Sequence, residues 1–133
     1  MQSNNKSNDK KIAIAVCSGA SNTGQISNAV AQSLCKKSDK YIMVCLAGLT
    51  QNHEISLNKI ADAEKVIVVD GCPFKCASKI INKYTNKKSD LEIQVLEDYK
   101  VKKVSDPNAY SQDIVEKISD DIISKVKNIE EEK

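Results

Sequence analysis

Apolar residues along this chain follow two alternating spacings. Unbroken runs occur at Ile12-Ala13-Ile14-Ala15-Val16, Tyr41-Ile42-Met43-Val44 and Val66-Ile67-Val68-Val69. Their length and β-branched content suit strands covered on both faces. Four-residue steps occur at Ile26, Val30 and Leu34, and again at Tyr110, Ile114, Ile118, Ile122 and Val126. Those steps give the buried stripes of amphipathic helices. The pattern predicts strands over about Lys11 to Cys17, Lys40 to Cys45 and Lys65 to Asp70. A fourth, over Leu91 to Leu96, alternates Leu91, Ile93 and Val95 with Glu92 and Gln94, as expected of a strand near an edge. A weak fifth strand is expected near Val101 to Val104. Helices are predicted from about Thr23 to Lys37, capped by Ser21 or Asn22, from Ile55 to Ala63, from Pro73 to Tyr84, and from Pro107 onward, capped by Asp106. Leu46 to Thr50 reads as a loop.

Strands alternating with helices predict an α/β fold, a three-layer sandwich around a mostly parallel sheet of four to five strands. Right-handed crossovers favour a flavodoxin-like or Rossmann-like arrangement with strand order 2-1-3-4. The 133 residues suffice for one domain, expected over residues 10–129, with a disordered leader over 1–9 and a charged tail over 130–133. The leader is polar and reads as neither signal peptide nor anchor, and no apolar run approaches membrane-spanning length. A soluble, cytoplasmic protein is expected.

The formal net charge is +2, and all 20 basic residues are Lys. Without the bidentate guanidinium fork and without a basic stripe, nucleic-acid binding is not expected. The absence of Arg also argues against thiol-phosphatase or arsenate-reductase chemistry. The loop after Cys17 is similar to theirs, but Thr23 stands where those loops close on an Arg.

Cys17, Cys45 and Cys72 each follow a predicted strand, at intervals of 28 and 27 residues, and Cys76 completes a C-x-x-x-C pair with Cys72. Such intervals match one strand-helix-strand unit. The four thiols should therefore gather at the carboxyl edge of the sheet, where open α/β folds place ligands. A tetrahedral zinc needs its sulfurs about 3.8 Å apart, from Zn–S bonds of about 2.3 Å. Cys45 has the longest reach to make, because in the order 2-1-3 its strand lies about 10 Å from the third. Gly19, Gly48 and Gly71, each near a cysteine, offer backbone freedom for the loops to lean inward. The readings this leaves open are a soft-metal site (zinc, an iron–sulfur cluster or Cu+), thiol redox chemistry, and inert packing of small apolar side chains. Cys35, inside the first helix, reads as packing.

The segments Cys17-Ser-Gly-Ala-Ser-Asn-Thr-Gly24, Val44-Cys45-Leu46-Ala47-Gly48 and Asp70-Gly71-Cys72-Pro73-Phe74-Lys75-Cys76 resemble the DGC-domain family, a group of proposed zinc-binding proteins. The resemblance runs from about Lys11 to Val104. It implies Cys17, Cys45, Cys72 and Cys76 as the chelating set and leaves the role of the metal open.

Other residues carry weaker signals. Ser18, Gly19 and Ser21, in the loop of residues 18–24, could present N–H groups to a small anion, though no Walker or G-x-G-x-x-G pattern is present. Asp70 and Gly71 could contact a bound ligand, but an Asp after a strand more often fixes a turn. Lys75 and Lys79, one helical turn apart, read as solvated. His53, the only histidine, reads as a solvated loop residue, which excludes a Ser-His-Asp or Cys-His-Asn triad. A closed site of four thiolates is expected to be structural or regulatory rather than hydrolytic, with metal sensing, storage or delivery as candidate roles. The enzymatic alternative is a thiol redox or transfer enzyme with Cys72 as nucleophile and Cys76 as resolving thiol.

Overall fold

A computed structural model describes residues 10–131 of the chain. Strands β1 (Ile12–Val16), β2 (Tyr41–Met43), β3 (Lys65–Asp70) and β4 (Leu91–Gln94) form one all-parallel sheet in the order β2-β1-β3-β4. Ile12 is level with Tyr41 on one side and with Lys65 on the other. The central pair is buried along its whole length, which the unbroken apolar runs require.

Strand alternation sorts the core into two layers. Ile12, Ile14, Val16, Ile67 and Val69 face α1 (Asn22–Lys37) and α6 (Gln112–Glu131). There they meet Ile26, Val30 and Leu34 from one helix and Val115, Ile118, Ile122 and Val126 from the other. Ala13, Ala15, Val66 and Val68 face α2 (Leu46–Thr50), α3 (Glu54–Asp62) and α4 (Cys76–Tyr84), packing on Leu49, Ile60, Ala77 and Ile81. The result is the expected three-layer α/β sandwich. No helix of the described residues is long and apolar enough to cross a membrane.

Five local expectations are corrected. Leu46–Thr50 is a short helix rather than a loop. The helix after β3 starts at Cys76 and not at Pro73, because Lys75 adopts a left-handed backbone, φ 53 and ψ 48, that a helix cannot pass through. Pro73 instead sits in a turn closed by the Lys75 N–H on the Cys72 carbonyl at 3.1 Å. β4 ends at Gln94, where a single turn, α5 (Val95–Asp98), begins. The segment of residues 101–104 is not a strand. Its backbone groups bond to Asn22 instead of to a sheet neighbour. The last helix begins at Gln112, since Asp106 accepts from the Asn108 N–H in a local turn, and Tyr110 stays outside the stripe. Residues 1–9, read as a disordered leader, lie outside the described residues. Of the charged tail, Glu130 belongs to α6 and pairs with Lys40 at 3.3 Å.

Candidate functional site

At the carboxyl edge of the sheet, three backbone segments meet. They are the loop from Cys17 into α1, the turn after β3, and the segment around Lys103. Between them lies a cleft of about 530 Å³ lined by Cys17, Cys72 and Cys76 together with Phe74, Lys103 and Val104.

Glycines bring these segments together by close approach rather than by unusual dihedrals, since no glycine has a positive φ. A Cβ on Gly71 would lie 2.7 Å from the Gly24 nitrogen and from the Thr23 carbonyl oxygen. A Cβ on Gly24 would lie 2.6 Å from the Gly19 nitrogen. The first turn of α1 thus rests directly on the backbone of both cysteine-bearing loops. This corrects the expectation that the glycines serve to bend the loops.

Cys17 follows β1, its N–H bonded to the Val69 carbonyl at 3.0 Å. Its own carbonyl accepts from the Ser27 hydroxyl. Burial pushes its thiol pKa upward, the N–H groups of Gly19 and Gly71 pull it down, and nearby Cys76 and Asp70 push it up again. Cys72 lies half-buried in the turn. The Lys103 ammonium approaches its sulfur at 3.6 Å and sits 5.2 Å from the centroid of the Phe74 ring. Phe74 is 66% exposed, an unusual position for the chain's only phenylalanine. Cys76 is exposed at the first position of α4.

Cys45 does not line this cleft. It is exposed at the N-cap of α2, which packs against α4. Cys35 packs, half-buried, beside the α1–α6 side of the core. Among the described residues, no three His, Cys, Asp or Glu side chains gather closely enough to hold a metal ion as they stand. The donor chemistry nevertheless suits a soft cation. Three thiols border one cleft, and two backbone N–H groups face one of the sulfurs.

Gly19, Ser21 and Gly71 line the cleft, whereas Ser18 and Asp70 do not. The Ser21 hydroxyl caps α1 by accepting from the Gly24 N–H at 3.4 Å. Ser18 accepts from the Gln25 amide at 3.4 Å. Asp70 is buried, and its carboxylate accepts from the N–H of Ala77 at 2.7 Å and of Ser78 at 3.1 Å. It therefore caps α4 from the end of β3, a role that Lys75, with no side-chain cap bond, leaves to it. Burial raises the Asp70 pKa, opposed by those two N–H groups. His53 is exposed, with its Nδ1 3.1 Å from the Ser56 hydroxyl.

Sequence reasoning missed Lys103, Phe74 and Gly24. Gly24, a glycine in the first turn of a helix, carried a legible signal. Lys103 carried none, being one of 20 lysines and lying in a segment whose valines suggested a strand.

A family model for the DGC domain matches residues 13–122. No curated protein and no solved structure matches the chain.

Proposed function

Because the chain belongs to the DGC-domain family, we propose that it is a zinc-binding protein that uses Cys17, Cys72 and Cys76, with Cys45 as the fourth ligand. The observation that carries this reading is the shared cleft. Thiols from the ends of β1 and β3 and from the start of α4 border one space. Cys45 precedes the short helix packed against α4, and its exposed side chain must turn toward the cleft to complete the set. Thiolates favour soft or borderline cations over calcium or magnesium. Zinc held by four thiolates has no open position and supplies rigidity or a transferable ion rather than hydrolysis. The role that follows is metal sensing, storage or delivery, in a reducing compartment such as the cytoplasm where free thiols persist.

The test is zinc content after purification under reducing, oxygen-free conditions, for wild type and for Cys→Ser at each of positions 17, 45, 72, 76 and 35. One equivalent is expected for wild type and for Cys35→Ser, and most of the zinc is lost in the other four. A wild type holding less than about a tenth of an equivalent contradicts the reading, because a structural zinc of this kind binds tightly. A visible colour in place of zinc turns it toward an iron–sulfur cluster.

One contact favours a second reading. The Lys103 ammonium beside the Cys72 sulfur also suits thiol–disulfide exchange, with Cys76 as the resolving thiol. A Cys72–Cys76 disulfide recovered by mass mapping after exposure to a small oxidised disulfide, in protein that binds no zinc, supports that alternative.

A further inference from the structure

We propose that Lys103 is the charge-compensating cation of the thiol site, presented to Cys72 by a strap of residues 102–104 that Asn22 clamps. Its part concerning metal rests on the zinc reading above; its part concerning Cys72 does not.

Among the described residues lining the cleft, Lys103 alone carries positive charge. Its ammonium touches the Cys72 sulfur at 3.6 Å and the Phe74 ring face at 5.2 Å, so two contacts direct one side chain. The strap beneath it belongs to no sheet and is held by a single buried residue. Asn22, 3% exposed, donates from Nδ2 to the Lys102 carbonyl at 2.9 Å and to the Ala109 carbonyl at 3.2 Å. Its Oδ1 accepts from the Val104 N–H at 2.8 Å, and its own N–H donates to the Val104 carbonyl at 3.1 Å. Both neighbours of Lys103 are thereby fixed to the first residue of α1, the helix that begins beside Cys17. Such fastening has a use if the Lys103 head must stand at one place. Four thiolates around a divalent ion leave two net negative charges, and a fixed ammonium offsets part of them.

The experiment uses the full chain, with Lys103→Gln removing the charge and Lys103→Arg keeping it. Zinc affinity is read by competition with a chromophoric chelator. Lys103→Gln is expected to weaken it about tenfold, the lower end of the range for a residue adjoining the ligands, and Lys103→Arg to stay close to wild type. The second readout is taken on reduced, zinc-free protein. It is the rate of Cys72 alkylation by anionic iodoacetate divided by the rate with neutral iodoacetamide, resolved by peptide mass. In both reactions the thiolate sulfur forms the new S–C bond and iodide leaves, so the ratio cancels the thiolate fraction and reports local charge. It should fall severalfold in Lys103→Gln, return in Lys103→Arg, and decline with added salt in wild type and Lys103→Arg but not in Lys103→Gln. An unchanged ratio in Lys103→Gln, or an Arg variant behaving like Gln in either readout, overturns the proposal. A wild type that binds no zinc overturns the metal reading instead, and the alkylation ratio then decides whether Lys103 governs Cys72.

Discussion

Gly71 is the residue on which most of the site geometry turns. It separates the capping carboxylate of Asp70 from the thiol of Cys72, and its missing Cβ lets the first turn of α1 rest on the loop. The added Cβ in Gly71→Ala meets backbone atoms of Thr23 and Gly24 at 2.7 Å, and backbone yields less readily than a side-chain tip. The variant should lose about 1–3 kcal/mol of stability by denaturant unfolding, the usual range for overpacking. Asp70 gives a prediction of pH dependence. Burial raises its folded pKa above the ordinary value of 3.8. Its contribution is therefore fully present below about 3.8 and is lost as pH rises through the raised folded value. The stability of wild type relative to Asp70→Asn should fall as pH rises from the ordinary carboxylate range through the raised folded value. A relative stability that climbs over that interval contradicts the assignment. The positions of Cys17, Cys72 and Cys76 were legible because strand ends and a four-residue spacing are written in one dimension. The direction of the Cys45 side chain was not, since it depends on the three-dimensional setting of the edge strand β2 and the short α2 that follows.

At the scale of elements, the two local devices that shape the cleft have opposite consequences when removed. Lys75 carries the left-handed strain that delays α4 to Cys76. Lys75→Gly should relieve it and leave stability unchanged or raised, by up to about 1 kcal/mol, with α4 still starting at Cys76. Asn22→Ala should do the reverse. It unpairs the Val104 N–H and the Lys102 and Ala109 carbonyls, which should reduce stability by about 1–3 kcal/mol and make amides of residues 102–109 exchange faster with solvent. β1 and β3 were found where expected because burial on both faces leaves no other pattern. α2 was missed because Leu-Ala-Gly-Leu-Thr is five residues long, with poor helix formers at two of them, and its helicity comes from packing Leu49 into the core. The segment at 101–104 was misread because two valines suggest a ladder, while the partner is a polar side chain about 80 residues upstream.

Across the whole molecule, core and site occupy different regions, so stability and metal binding should separate. Ile118 is fully buried between α6, α1 and the sheet, away from the cleft. Ile118→Ala should cost about 2–5 kcal/mol, yet leave zinc affinity unchanged at temperatures where the variant remains folded. The strand order was legible from the alternation of strands with helices and the handedness of crossovers. That Cys45 stands exposed outside the cleft was not, because it depends on the loop after the edge strand β2. The central claim, zinc held by Cys17, Cys45, Cys72 and Cys76, is tested most directly by zinc K-edge X-ray absorption on the purified full chain. The account predicts a first shell of four sulfurs at about 2.3 Å, falling to three for the zinc that Cys45→Ser retains. A shell dominated by nitrogen or oxygen, or one that Cys45→Ser leaves unchanged, would contradict it.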